Sequence, residues 1–274
     1  MDTDEVMDTG KLTVTDKGMD TETTLKIATV RLRSQLQGPS PKQQPVQAMP
    51  HQQFISPASR SIKKLDIDQA QLVQEQCRQI CLSVFFREHA PVRSLGFTSP
   101  IGGEGKSFLS LMTAKVLAND SLNPVTLIDC NWYHPGLHEA FRCPLRPGLA
   151  EWLRGECHEM HIRYQVARNL TFIPAGSGKQ DAVTLLYQIR KKGLLNMLAH
   201  SNNLLIVDLP SIVNTACGPL AASLTESLII VVRAGVTPDA LIAEACTQLK
   251  DAPIHGLVLN QTESHIPRWL QQLL

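Results

Sequence analysis

Short runs of apolar residues alternate with longer amphipathic segments from about residue 66 to the end of the chain. Runs rich in Val, Ile and Leu predict buried strands, and the segments between them have helical spacing. Fully apolar strands separated by helices are typical of a mainly parallel sheet with helices on both faces, so we predict a three-layer α/β domain. The predicted strands are 92–97, 125–128, 171–173, 204–207, 228–232 and 256–259, and the predicted helices are 68–86, 107–119, 147–154, 180–199, 217–224 and 238–250.

The first 65 residues have a different pattern. Residues 1–24 carry seven acidic residues and two lysines, and every charged residue from 26 to 64 is basic. Proline and glutamine are frequent, so this part buries too little apolar surface to offset the entropy of ordering. We predict a disordered leader over residues 1–65 and one domain over residues 66–274. Residues 24–36 could form a basic helix that contacts a partner or a membrane surface, or the leader is a solvated tail.

Composition narrows the class of protein only slightly. Apolar residues make up 43% of the 274 residues, and the formal net charge of +1 gives no general attraction for nucleic acid or an anionic membrane. The longest apolar runs are far shorter than the roughly 18 residues that suggest a membrane span. The start of the sequence has no basic-then-apolar signal pattern, so we predict a cytoplasmic protein. Seven scattered cysteines without paired zinc spacing favour reduced thiols.

A phosphate-binding loop is predicted between the strand 92–97 and the helix 107–119. It reads Gly102-Gly103-Glu104-Gly105-Lys106-Ser107, with Phe108 next. Glycines let backbone N–H groups converge on phosphate oxygens, and the N-terminus of the following helix favours an anion. We expect Lys106 to reach the β- and γ-phosphates and the Ser107 hydroxyl to ligate Mg²⁺. The expected fold is therefore that of a P-loop NTPase, with ATP and Mg²⁺ as cofactors.

Two details near this motif differ from the usual pattern. Pro100 stands where the first glycine of the loop is expected, and because proline lacks an N–H donor, the start of the loop must be shaped differently. A second glycine-rich string, at 176–179, lacks the spacing and the following hydroxyl, so we predict a plain loop there.

Two apolar strands each end in an acidic residue, Asp129 and Asp208. A phosphate loop needs an acid across the site that holds Mg²⁺ and orients water, and the carboxyl ends of parallel strands meet at one edge. The predicted catalytic residues are therefore Lys106, Asp129 and Asp208, and the predicted metal ligands are Ser107, Asp129 and Asp208. In the alternative interpretation, each aspartate only caps the segment after it.

Further motifs follow the phosphate loop in a fixed order, at 127–141, 146–149, 174–176, 207–210, 231–238 and 256–260. Together they resemble the bacterial tyrosine kinases of capsule and exopolysaccharide synthesis, relatives of the division-site and plasmid-partition ATPases. The resemblance covers about residues 70–263. Ile101 stands where the partition ATPases carry a signature lysine, which favours the kinase branch.

The resemblance implies ATP binding by the predicted lysine, serine and aspartates, with Asn260 near the adenine. It also implies a membrane polysaccharide co-polymerase or chain-length regulator as partner, which would recruit the protein to the inner face of the membrane. Glu75 and Arg78 match part of the helix motif through which these kinases form rings, but Cys81 replaces the second arginine, so homo-oligomer formation stays open.

Two departures from the family pattern affect the expected chemistry. The family's Asp-x-Asp motif reads Asp129-Cys130-Asn131, which removes one charge from the site. Residues 266–274 predict a short amphipathic helix instead of a tyrosine-rich tail, and this helix either packs on its own domain or docks a partner. The chain's three tyrosines, Tyr133, Tyr164 and Tyr187, all lie inside the predicted domain.

Three functions are compatible with these observations. The leading hypothesis is an ATPase that regulates exopolysaccharide or capsule polymerisation and export through its nucleotide state, with protein-tyrosine kinase activity left open. The second is a nucleotide-bound adaptor with weak catalysis that scaffolds the export machinery. The third is a partition- or positioning-type ATPase, against which the absent signature lysine and the near-neutral charge argue; we expect no nucleic acid partner.

Overall fold

The computed structural model describes residues 23–28, 53–54, 67–86, 92–193, 195, 198–199 and 203–263. The strands of this part are β1 (Thr23–Ala28), β2 (Gln53–Phe54), β3 (Ser94–Thr98), β4 (Val125–Asp129), β5 (Tyr164–Ala167), β6 (Leu170–Ile173), β7 (Leu204–Asp208), β8 (Ser227–Arg233) and β9 (Ile254–Glu263). The helices are α1 (Ile67–Phe85), α2 (Lys106–Asp120), α3 (Leu137–Ala140), α4 (Leu149–Arg154), α5 (Ala182–Lys192), α6 (Gly218–Ala222) and α7 (Asp239–Gln248), with a 3₁₀ turn at Glu159–Ile162.

The described strands form one sheet in the order β1-β9-β8-β3-β7-β4-β6-β5-β2. Every pairing from β9 across to β6 is parallel, whereas β1 with β9 and β5 with β6 are antiparallel. Parallel strands need crossover connections, which the helices between them provide. The predicted mainly parallel α/β sheet is therefore confirmed.

Helices cover both faces of the sheet because its central strands are apolar on both sides. In β8, Ile229 and Val231 point into one apolar cluster, which α1 and α2 complete. Leu228, Ile230 and Val232 point into a second cluster on the opposite face, with α4, α5, α6 and α7. Successive side chains of a strand alternate between faces, so a continuous apolar run of this kind fills two cores at once. This arrangement confirms the three predicted layers.

Two short strands lie inside the predicted leader. β1 pairs with β9 at one edge of the sheet, and β2 pairs with β5 at the other. The basic helix expected over residues 24–36 is wrong for its first residues, because Thr23–Ala28 is a strand and its β-branched threonines and isoleucine favour that conformation. The other residues of the leader lie outside the described part, as does the predicted helix at 266–274, and the division of the chain at residue 65 stays a prediction.

Two further elements differ from the predicted pattern. β5 was not predicted; it forms a hairpin with β6 through Arg168 and Asn169. The helix expected over 180–199 is interrupted, because α5 ends at Lys192 and the next residue, Gly193, adopts the left-handed conformation (φ 59°) and caps it. Among the described residues, no helix combines the length and the apolar character needed to cross a bilayer.

One buried carboxylate holds the loop after β6 against the start of α4. Glu151, which is 3% exposed, accepts hydrogen bonds from the backbone N–H groups of Gly148 (2.8 Å) and Ser177 (3.1 Å) and from Arg146 Nε (2.8 Å). The two backbones approach so closely that a Cβ on Gly148 would lie 2.4 Å from the nitrogen of Gly176. Glycine at position 148 is therefore required by packing.

We expect Gly148→Ala to destabilise the domain by about 2 kcal/mol, because an added methyl group meets backbone atoms that cannot move aside. Urea denaturation followed by circular dichroism measures this loss. Gly136→Ala is the matched control, since a Cβ at Gly136 meets nothing within 4 Å and its φ of −141° is open to any residue. Equal stability of the two variants would contradict the packing argument.

Candidate active site

The loop between β3 and α2 has the backbone of an anion cradle. Gly103 (φ 87°) and Gly105 (φ 89°) adopt the left-handed conformation, which strongly favours glycine. Gly105 is the N-cap of α2, so the first N–H groups of that helix have no partners inside it. The loop can therefore direct backbone donors and the positive end of a helix at one anion.

Three side chains meet at the start of α2. Lys106 Nζ lies 3.4 Å from Asp208 Oδ1, and the Ser107 hydroxyl donates to Asp208 Oδ2 at 2.5 Å. Asp208 is the last residue of β7, the strand beside β3, and Phe97 of β3 is its register partner. Adjacent parallel strands thus bring an ammonium group, a hydroxyl group and a carboxylate to one point at the carboxyl edge of the sheet.

Asp129 lies beside this cluster because β4 and β7 pair in register, with Asp129 opposite Asp208. Asp129 is fully buried; its Oδ1 accepts a hydrogen bond from the Asn131 N–H (3.0 Å), whereas its Oδ2 has no hydrogen-bond partner. Burial and the nearby charge of Asp208 raise the pKa of Asp129 to about 8, against the lowering effect of that N–H and of Lys106. Burial also raises the pKa of Asp208, although Lys106 and Ser107 oppose this change.

These residues fit Mg²⁺ and a nucleoside triphosphate. Mg²⁺ prefers hard oxygen ligands, and the Ser107 hydroxyl and two aspartates supply them. The unpartnered Asp129 Oδ2 is a buried acceptor that lacks a donor, which a cation would satisfy. Lys106, 7% exposed, and the glycine backbone supply the complementary positive charge for phosphate.

Other predicted site residues have different environments. The Glu104 carboxylate does not join the lysine–aspartate cluster; it accepts hydrogen bonds from the N–H of Arg233, the last residue of β8, and from the Thr237 hydroxyl in the loop after β8. Asn260 Nδ2 donates to the Glu104 carbonyl at 2.8 Å, so Asn260 contacts the phosphate loop itself. Phe108 packs against the core under α2. Thr237 lies within the motif at 231–238, but nothing in that pattern predicts its contact with the phosphate loop.

Asn131, which replaces an acid in the family pattern, has a structural contact. Its Nδ2 donates to the His134 carbonyl at 3.0 Å and closes the turn after β4. Tyr133 lies in the same turn, with its hydroxyl 3.6 Å from Cys217 Sγ. The side-chain amide at position 131 therefore stabilises the turn that follows Asp129.

The loop after β7 holds the start of the phosphate loop. The N–H groups of Ile212 and Val213 donate to the carbonyls of Ser99 and Pro100, each at 2.9 Å. The Thr98 hydroxyl donates to the Pro210 carbonyl at 2.7 Å. Pro100 contributes its carbonyl to these contacts, an interaction that needs no N–H donor, which explains why proline is tolerated there.

The fold and this cluster together have the architecture of a P-loop NTPase domain. No protein-family model matches the chain. It is similar to the putative tyrosine-protein kinase EpsB of Ralstonia solanacearum, with 29% identity over 175 residues, which is 63% of this chain and 23% of that protein. It is also similar to the kinase domain of the Escherichia coli tyrosine kinase ETK, with a TM-score of 0.64, 21% identity and coverage of 73% of this chain and 78% of that one. The resemblance to bacterial tyrosine kinases is confirmed.

The relation to partition ATPases also appears in the fold. A plasmid partition protein from Borrelia burgdorferi has a TM-score of 0.52 and 16% identity, with coverage of 67% of this chain and 86% of that chain. This likeness concerns the fold alone. The chain spans about a quarter of the length of the curated relatives that it matches.

We expect the stability of the metal-free protein to fall as pH rises from about 4 to about 8. The pKa of Asp129 rises from 3.8 to about 8 on folding, so the folded state holds a proton in this range that the unfolded state has lost. Asp129→Asn removes that proton uptake. As pH rises through this range, the free energy of unfolding of the variant should increase relative to that of the wild type by on the order of 1 kcal/mol per pH unit.

Urea denaturation of both proteins in EDTA, at intervals between pH 5 and pH 9, measures this difference. Parallel stability curves for the wild type and Asp129→Asn would show that Asp129 ionises normally and would contradict the expectation.

Proposed function

We propose that the chain binds Mg-ATP at the loop from Gly102 to Ser107 and hydrolyses it. The observation that carries this proposal is the contact of Lys106 and Ser107 with Asp208, with the unpartnered oxygen of Asp129 beside them. Buried acids need a compensating cation or proton, and Mg²⁺ bound beside this glycine-rich helix start would supply the cation.

Each residue has a distinct part in this proposal. Backbone N–H groups at Gly103 and Gly105 and the Lys106 ammonium group hold the phosphates. Ser107, Asp208 and Asp129 hold the metal ion, which neutralises charge on the phosphates when it is bound. Asp129 lies beside Asp208 at the end of β4, so in its ionised form it is also placed to accept a proton from the attacking group. In this proposal, Asn260 lies toward the adenine.

We further propose that the nucleotide state of the chain regulates a membrane protein of exopolysaccharide or capsule polymerisation and export. The similarity to tyrosine-kinase domains and the ordered motifs over residues 70–263 support this role. The partner would be a polysaccharide co-polymerase or chain-length regulator that recruits the cytoplasmic chain to the membrane. The same proposal includes self-association through the helix that carries Glu75 and Arg78. In the structure, Arg78 forms ion pairs with Glu75 and Asp120 of its own chain.

Lys106→Ala should weaken Mg-ATP affinity by about a hundredfold or more, because it removes the charge that pairs with the phosphates. Isothermal titration calorimetry measures the affinity, and circular dichroism checks that the variant folds. Lys191→Ala removes an exposed lysine at the end of α5 and is the matched control. Undiminished affinity in Lys106→Ala would refute the assignment of the loop.

A second candidate function is a nucleotide-bound adaptor with weak catalysis. The observation that favours it is at position 131, where the family pattern has an acid: Asn131 instead donates a hydrogen bond to the His134 carbonyl in the turn after β4. Tyr187 is 58% exposed, whereas Tyr164 is 5% exposed and Tyr133 contacts Cys217. Few tyrosines of the chain are therefore accessible as phosphate acceptors. An adaptor would bind ATP without using it.

Phosphate release separates the two candidates. We expect the wild type to release phosphate from Mg-ATP at least about tenfold faster than Lys106→Ala, because only the wild type holds the triphosphate against the two aspartates. Equal rates, together with intact ATP binding by the wild type, would favour the adaptor. Transfer of label from γ-³²P-ATP to a tyrosine of the chain, or to the tail of a co-purified partner, would show that the protein also has kinase activity. The Tyr187→Phe variant tests whether the exposed tyrosine is the acceptor.

A further inference from the structure

Glu104 is a buried acid inside the phosphate loop whose carboxylate faces away from the other charged groups of the site. Its side chain is 2% exposed. The two carboxylate oxygens accept hydrogen bonds from the Thr237 hydroxyl (2.6 Å) and the Arg233 N–H (3.1 Å). Burial raises the pKa of Glu104, whereas these two donors lower it. A carboxylate next to a phosphate cradle would repel the ligand, and its hydrogen bonds to Arg233 and Thr237 hold it away from the lysine–aspartate side of the site.

The contact exists because β3 leaves the sheet before β8 ends. The two strands pair up to Thr98 and Ile230, and the chain of β3 then turns into the phosphate loop. The N–H of Arg233, three residues further along β8, meets the side chain of Glu104 instead of a strand. Buried N–H groups are nearly always paired, and here the partner comes from the phosphate loop.

The backbone of the same residue is held from β9. Asn260 Nδ2 donates to the Glu104 carbonyl at 2.8 Å and lies so close to Gly105 that a Cβ there would be 2.1 Å away. In register, Asn260 is the partner of Arg233, so the contacts of Glu104 with these two residues lead to the same position of the β8–β9 ladder. We refer to Glu104, Arg233, Thr237 and Asn260 as the Glu104 cluster.

The Glu104 cluster lies on the side of the loop opposite to the aspartates. Asp208 and Asp129 extend from β7 and β4, on one side of β3, whereas β8 and β9 lie on the other side. In the proposed function the phosphates and metal ion face the aspartates and Asn260 lies toward the adenine, which puts the nucleoside on the side of β8 and β9. That loop exposes Arg233 and Val236, the latter 58% exposed, around a turn at Gly235 (φ 69°).

We propose that Glu104 is a positioning residue that joins the two halves of the nucleotide site. It contacts no ligand itself; it fixes the phosphate loop relative to the loop from Arg233 to Thr237, so that the phosphates and the nucleoside are recognised together. This inference rests on the proposed function, because it assigns the phosphate side to the loop and the nucleoside side to β8 and β9.

The test compares two ligands that differ in the nucleoside, Mg-ATP and magnesium tripolyphosphate, by calorimetry. The wild type should bind Mg-ATP more tightly than tripolyphosphate. In Glu104→Ala, the ratio of the two affinities should fall about tenfold, since the loop after β8 loses two buried hydrogen bonds. Thr237→Val, which keeps the shape and removes the hydroxyl, should lower the ratio in the same direction. Glu104→Gln keeps one acceptor oxygen and should be intermediate.

The controls separate this inference from stability and from the proposed function. Glu244→Ala removes an exposed acid on α7 and should leave the ratio unchanged. An unchanged ratio in Glu104→Ala and Thr237→Val, with or without a lower unfolding temperature, would overturn the positioning role, as would equal weakening of both ligands. If Glu104→Ala does not fold, Glu104→Gln and Thr237→Val decide. A wild type that binds neither ligand would instead refute the proposed function.

Discussion

The in-register pairing of β3, β7 and β4 is the constraint on which the candidate site depends. It places Asp208 beside Asp129 and brings both within reach of the helix that begins at Lys106. The strands are apolar on both faces, so a one-residue slip would move every side chain into the wrong core and would also separate the two acids. The same burial that stabilises the sheet thus fixes the spacing of the charged groups at its edge.

The carboxyl edge of these strands holds buried charged groups, each of which would destabilise the fold if it had no partner. Two aspartates are fully or almost fully buried, and the charge of one raises the pKa of the other. Lys106, Ser107 and backbone N–H groups compensate in part, and Asp129 Oδ2 has no hydrogen-bond partner. A site of this kind is poised for ligand binding because the ligand supplies the charge that the protein lacks.

The phosphate loop is held from both sides by different means. On the side of the aspartates, backbone N–H groups at 212 and 213 bind the carbonyls of Ser99 and Pro100. On the other side, a side chain of the loop itself, Glu104, reaches the neighbouring strand end. Loops with their own backbone conformation need such outside contacts, since left-handed glycines have many alternatives in the unfolded chain.

The central strands and the long helices were predictable because their apolar periodicity is strong and local. The hairpin strand β5 was not, since Tyr164 to Ala167 is short and its pairing with β6 depends on a two-residue turn. The extent of α5 depended on Gly193, whose left-handed cap is compatible with the sequence but not demanded by it. The strand at Thr23–Ala28 forms against the edge of β9, a partner more than 200 residues away that local pattern cannot reveal.

The α/β class, the glycine-rich loop with its lysine and serine, and the two acids at strand ends could be predicted from the amino-acid sequence alone, because these are properties of short segments and their order. Which groups meet depends on the three-dimensional fold. The register of parallel strands, the unpartnered oxygen of Asp129, the turn closed by Asn131 and the orientation of Glu104 toward Thr237 all arise from contacts between segments far apart in the chain. Such contacts are selected by the packing of the whole sheet, so no local pattern of residues specifies them.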